Sequence, residues 1–170
     1  GAPAVSVPRR ADLVLTPTGL RAFGRRLPCT RGRRGLTADK REGDGCTPKG
    51  AHAIVGMLWR PDRMRRPAPR AVPIRPRDLW SDDPGRPDYN RRVRAPYPGS
   101  AERLRRADPL YDLVLVTGWN AAGAPGRGSA IFLHRWRRPG APTAGCVALS
   151  PRDLRWLAAR TGPRTRLVVR

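Results

Sequence analysis

The sequence predicts a mainly β domain of many short strands joined by turns, with one or two short helices. Three observations carry this. The 170 residues include 18 Gly and 20 Pro, too much punctuation for a helical bundle. A hydrophobic fraction of 39% against 28% charged residues is too apolar for a disordered chain. The longest apolar runs, residues 113–116 and 130–133, hold four residues each, far short of the roughly 18 that a membrane span needs. The length suits one domain with its own core, residues 1–170, because single domains commonly hold about 100–200 residues.

Residues 11–16 and 20–30 read as two strands separated by the turn Pro17-Thr18-Gly19. A further short strand over 36–40 leads into a loop, 41–50, that contains Gly43, Gly45 and Gly50. Residues 51–59 have strand character around Ile54-Val55, and residues 60–76 are rich in Pro and Arg, opening a peripheral loop insertion near 60–100. Residues 78–84 and 88–91 mix acids, aromatics and an amide and are expected as loop of the kind that carries or wraps a site. Ser100 is placed to cap a short helix over 101–107, with Glu102 at its positive end and Pro109 beyond it, which would present Tyr111. Residues 111–120 and 129–136 are the strongest strands, and the first is nearly all apolar, as a central strand should be. Ser150-Pro151-Arg152-Asp153 combines an N-cap, a proline at the first helical position and an acid in the first turn, so a helix runs from there to about Gly162-Pro163. Residues 164–170 close the chain with a strand.

The 35 basic residues outnumber 13 acids, for a net charge of +22. Only Lys40 and Lys49 are lysines, and the arginines occur as scattered pairs such as Arg9-Arg10, Arg65-Arg66 and Arg137-Arg138. No basic recognition helix or stripe is visible, so nucleic acid is not the expected partner. The excess suits solubility, or a polycarboxylate partner. The chain starts at Gly1 without a charged segment followed by an apolar one, so the expectation is that an export signal was removed or never existed.

With two histidines and three cysteines, the search for a nucleophile and its base is short. His134 ends the strand around Ile131-Phe132-Leu133, and Cys146 follows 12 residues later, directly after Gly145. An imidazole beside a thiol can take its proton and leave a thiolate nucleophile. Gly145 permits close backbone approach, and the N–H groups of residues 144–146 offer an oxyanion hole. A buried core thiol and a hydrogen-bonded histidine fit the same pair. Asp83, Tyr89, Asn90 and Arg91 are candidates for a substrate groove, and equally plain turn formers; Trp119 and Asn120 at the end of the central strand are further candidates. His52 reads as structural. The cysteines lie 17 and 100 residues apart, without zinc spacing, and neither metal nor cofactor is expected.

The run Ile131-Phe132-Leu133-His134 followed by Pro142-Thr143-Ala144-Gly145-Cys146-Val147 resembles the signature of the L,D-transpeptidase (YkuD-type) catalytic domain. Lys40-Arg41-Glu42-Gly43-Asp44-Gly45-Cys46-Thr47-Pro48-Lys49-Gly50 is similar to the "EGD-x-x-TP-x-G" segment upstream in many members. The resemblance implies a mixed, mainly β sandwich and a cysteine enzyme of the cell wall. Cys146 would attack the carbonyl of an L-configured centre in a peptidoglycan stem peptide, with His134 as base, then acid, Gly145 at the oxyanion, and Thr143 and Ala144 against the substrate. An amine or water would resolve the thioester. It also implies a monomer in the periplasm or cell envelope, with the arginines available for substrate carboxylates. The chain departs from the pattern at Ala144, often His or Gly, and at Ala148, often Arg, and its His-to-Cys loop is short. These changes alter the clamp around the nucleophile and admit the first stem residue, rather than the third, as acyl donor. The different-class alternative is a non-catalytic binding protein for an anionic polymer. In an exported chain Cys29 and Cys46 are available for a disulfide worth about 3 kcal/mol on the chain-entropy model; otherwise Cys29 packs in the core and Cys46 is a loop residue.

Overall fold

The computed structural model describes residues 8–170. The chain runs through β1 (Leu13–Thr16), β2 (Gly19–Ala22), β3 (Arg25–Leu27), β4 (Cys29–Thr30), β5 (Leu36–Thr37), β6 (Thr47–Pro48) and β7 (Gly50–Trp59). It continues through β8 (Val72–Pro73), β9 (Asp78–Ser81), β10 (Arg92–Arg94), β11 (Ala101–Arg103), β12 (Leu113–Thr117), β13 (Phe132–Arg135) and β14 (Val147–Leu149). The helix α1 (Pro151–Arg160) and the strand β15 (Arg166–Val169) complete it. The main sheet has the order β3-β2-β1-β15-β7-β12-β13-β14-β4, with β8 added to β7. Its β1/β15 and β13/β14 pairs are parallel and most others antiparallel, and its far end curls until β4 meets β2. The result is a mixed, nearly closed β sandwich.

Burial follows alternation along the strands. In β12, Leu113 and Leu115 face one core with Leu13, Leu133, Val147 and Leu167, while Val114 and Val116 face a second with Leu58, Tyr111 and Phe132. Both faces of β12 are therefore dry, as its apolar run predicts, and it lies between β7 and β13. Helix α1 covers the first core through Leu154, Leu157 and Ala158. Ser150 caps it, its Oγ accepting the Asp153 N–H at 3.1 Å, with Pro151 in the first turn. Each of these large side chains contributes about 1.5–3 kcal/mol on burial.

Several expectations change in the fold. The segment expected as a helix over 101–107 is instead the strand β11, paired with β9 through Glu102 and Trp80. Seven residues are too few to sustain a helix alone, and the Ser100 hydroxyl donates to Asp82 instead of capping. Residues 78–81, expected as loop, form the middle strand of the small sheet β10-β9-β11. The strand expected over 20–30 breaks at Phe23 and Gly24, both at positive φ, and again at Pro28, giving β2, β3 and β4. All three cysteines are free. Cys29 packs against the first core opposite Leu149, while the Cys46 sulfur lies against the carbonyls of Arg34 and Asp44, so no disulfide joins them.

Candidate active site

The parallel register of β13 and β14 sets Leu133 beside Val147 and His134 beside Ala148. One step back along both strands, Phe132 stands beside Cys146, and alternation returns His134 to the same face as Phe132. The ladder thus puts the imidazole and the thiol on one sheet face, two positions apart. The opposite face, with Leu133, Val147 and Leu149, is sealed by the first core.

Cys146 is held at its sulfur. The thiol donates to the Ala130 carbonyl at 3.1 Å and accepts the Phe132 N–H at 3.4 Å. Burial pushes it up to about 12, and Glu102 works in the same direction; the Phe132 N–H and the charge of Lys40 oppose this. His134 is pushed down to about 4, chiefly by burial, against a hydrogen bond to the Arg135 carbonyl that favours the protonated ring. Its Nδ1 is 2.6 Å from that carbonyl oxygen, which can only accept, so Nδ1 carries the proton and Nε2 keeps its lone pair. At neutral pH the pair is therefore a thiol beside a neutral imidazole. Burial thus disfavours a standing thiolate.

The turn before the nucleophile is built from hydroxyls and a glycine. Thr143 Oγ1 accepts the Gly145 N–H at 3.0 Å and donates to the Cys146 carbonyl at 2.6 Å. Thr47 Oγ1, fully buried, accepts the Gly32 N–H at 2.9 Å and donates to the Gly145 carbonyl at 2.8 Å. Gly145 has φ +151°, and a Cβ there would stand 2.8 Å from the Cys46 carbonyl oxygen. Its own N–H is occupied by Thr143, which leaves the N–H groups of Ala144 and Cys146 as the candidate oxyanion donors of this turn.

His134 and Cys146 line one cavity of about 210 Å³. Thr143, Ala144, Gly145 and Ala148 line it too. Its charged lining combines the basic residues Arg33, Lys40, Arg106 and Arg137 with the acidic residues Glu42, Asp82 and Glu102. Tyr111 stands edge-on to both Phe132 and His134 and donates to Glu102 at 3.0 Å. Burial pushes the Glu102 carboxyl up, and the Tyr111 hydroxyl only partly offsets this.

Six expected substrate residues lie outside the cavity lining. Asp83 accepts the Gly85 and Ser100 N–H groups and closes a turn, while Asp82, its neighbour, faces the cavity. The Arg91 side chain is exposed. Tyr89 is buried and donates to Glu42 at 2.7 Å. Asn90 receives the Ala130 N–H at 3.0 Å and donates to the carbonyls of Trp119 and Asn120, thereby steadying the residue whose carbonyl holds the thiol. Trp119 donates to Arg127, and Asn120 spans its loop to Ala124 and Gly128. His52 bonds the Pro48 carbonyl and packs on Trp119. Sequence reasoning missed Lys40, Thr47, Glu102, Arg106 and Tyr111 as groups around the thiol; the signal for the first two was the 40–50 motif itself.

Among the described residues, no group of three or more His, Cys, Asp or Glu side chains is arranged to hold a metal ion, and no helix is long and apolar enough to cross a membrane. Neither the curated proteins nor the solved structures contain a match to this chain. The family model of the L,D-transpeptidase catalytic domain, however, matches residues 5–169. With the ladder that sets His134 beside the Gly145-Cys146 turn, that match over nearly the whole length means that the chain belongs to the L,D-transpeptidase catalytic domain (YkuD) family.

Proposed function

We propose that this protein is a cysteine L,D-transpeptidase of peptidoglycan stem peptides, acting outside the cytoplasmic membrane through a thioester on Cys146. The observation that supports the reading is that Cys146 and His134 line one cavity and that the His134 Nδ1 is fixed on a backbone carbonyl, so Nε2 is the nitrogen left to act as base. In acylation His134 Nε2 takes the Cys146 proton as the sulfur bonds to the carbonyl carbon of an L-residue, and negative charge moves to the carbonyl oxygen. The oxyanion is received by the Ala144 and Cys146 N–H groups. When it collapses, the C–N bond breaks, and the imidazolium gives its proton to the departing amine. An acceptor amine then attacks the thioester, forming a cross-link or exchanging the terminal residue, or water releases the shortened peptide. Arg33 and Arg137 meet the carboxylates of the stem, while the Arg106 guanidinium is already forked onto Asp108. The small side chain of Ala148 in the cavity lining bears on whether the first or the third stem residue is the acyl donor.

The test is mass spectrometry of purified disaccharide peptides incubated with the protein and with its Cys146→Ala and His134→Gln variants. The intact protein should produce dimers or exchanged peptides, whose tandem spectra identify the donor residue, and both variants should lose at least about 10³-fold in rate while remaining folded. A carbapenem should add its mass to the intact protein at Cys146 and not to Cys146→Ala. Near-normal turnover by folded Cys146→Ala would remove the mechanism, and wall binding without turnover by the intact protein would favour a non-catalytic binding role.

A further inference from the structure

Lys40 is one of only two lysines among 35 basic residues, and its side chain is 3% exposed. It lies in the cavity that holds Cys146, and its Nζ is 2.5 Å from Asp44 Oδ1. That carboxylate is itself fixed by the N–H groups of Arg41 and Cys46, each at 2.9 Å. Asp44 is the one hydrogen-bond partner of the ammonium among the described residues, whereas an ammonium has three N–H donors.

The path of this side chain is shaped by two glycines. A Cβ at Gly128 would stand 3.0 Å from Lys40 Cγ and 3.1 Å from its Cε, and a Cβ at Gly145 would stand 3.5 Å from Nζ. Gly128 and Gly145 have φ of +102° and +151°. The backbone on both sides thus leaves a lane for a slender lysine stem and ends it beside the residue that precedes the nucleophile. A planar guanidinium is broader and would need a different lane. Glu102, Tyr111 and His134 face the same thiol from β11, from the segment before β12 and from β13, and of these Glu102 opposes negative charge on the sulfur while Lys40 favours it.

We propose that Lys40 is the fixed cation of the reaction centre, held in place by Asp44, and that its ammonium stabilises the negative charge that develops on Cys146 Sγ and passes to the substrate carbonyl oxygen. This deepens the transpeptidase reading and rests on it for the substrate. Lys40 keeps its protons throughout; the proton that moves travels from Cys146 to His134 and then to the leaving amine. Asp44 acts as a positioning residue, and it also tempers the field of the ammonium at the sulfur.

The test uses two variants with opposite electrostatic consequences, Lys40→Met and Asp44→Asn. Alkylation of Cys146 by iodoacetamide is followed on the Cys146 peptide by mass spectrometry between pH 7 and 9.5, together with carbapenem acylation. Removing the cation should slow Cys146 alkylation by roughly tenfold, equivalent to about one pH unit less thiolate. Asp44→Asn removes the counter-charge while its amide oxygen can still accept from the Lys40 Nζ, so it should speed alkylation. Lys40→Arg should not restore the intact rate. A packing defect moves both variants the same way, so equal signs, or no change in either, overturn the assignment. The ratio of iodoacetate to iodoacetamide rates, which reads field rather than access, should fall in Lys40→Met. Opposite shifts in a protein that turns over no wall peptide would leave the Lys40 assignment standing and reject the transpeptidase reading; normal turnover without shifts would do the reverse.

Discussion

His134 Nδ1 is 2.6 Å from the carbonyl oxygen of Arg135, the next residue in its own strand. The group that orients the base is therefore main chain, and no side-chain substitution at residue 135 removes it. It also sets the tautomer, because a carbonyl only accepts. The proton-accepting Nε2 is thereby fixed without a buried acid, which would have added a further charge to a cavity wall where Glu102 already opposes the thiolate.

Burial holds His134 near 4, whereas an unfolded histidine titrates near 6.5. Between these values the unfolded chain binds the extra proton, so the contribution of His134 to stability is fully present above 6.5 and is lost as pH falls towards 4. The loss is of order 3 kcal/mol. Urea unfolding at pH 7 and pH 4.5 measures it, and His134→Gln should flatten the dependence. His52, also pushed down by burial, acts in the same direction, so His52→Gln serves as the comparison. Identical pH dependence in intact protein and His134→Gln would refute this.

Gly145→Ala places a Cβ 2.8 Å from the Cys46 carbonyl and a non-glycine residue at φ +151°. Backbone must move, at a cost of about 1–3 kcal/mol, and the shift falls on Cys146. Carbapenem acylation should slow by at least about tenfold. An unchanged rate would mean that the turn has slack that this geometry lacks.

Thr47→Val removes a hydroxyl that bridges the Gly32 N–H and the Gly145 carbonyl from a fully buried position. Leaving both groups unpaired should cost about 2–4 kcal/mol. Thr47→Ser keeps the bridge and should recover most of the stability and of the acylation rate. Equal behaviour of Val and Ser in thermal unfolding and in acylation would show that the hydroxyl is idle.

Thiol titration in denaturant without reductant should count three free thiols, since Cys29, Cys46 and Cys146 are all unpaired. Cys146 is the most buried of them, and its labelling rate in the native protein separates an activated nucleophile from an inert core thiol. A count of one thiol would contradict the free cysteines of this fold.

Much of the architecture was legible in residues that act over short range. Ser150-Pro151 with Asp153 wrote the start of α1, because a cap and a preset φ act within one turn. The run 113–116 marked a strand buried on both faces, and the motif around residues 143–146 drew attention to Cys146, which the fold sets in one cavity with His134. What tertiary structure alone decided were the outcomes of distant competition. Glu102 paired across to Trp80 in β9 and overrode a helix signal; Asp82 rather than Asp83 faced the cavity; Cys29 and Cys46 packed apart. Lys40 reached the nucleophile's turn between Gly128 and Gly145, residues roughly ninety and a hundred positions away, through a lane that no local pattern encodes. Capping, alternation and turn chemistry depend on neighbours a few residues apart and can be read along the chain. The charged walls of the cavity depend on which strands pair, and that is settled only when the whole sheet closes.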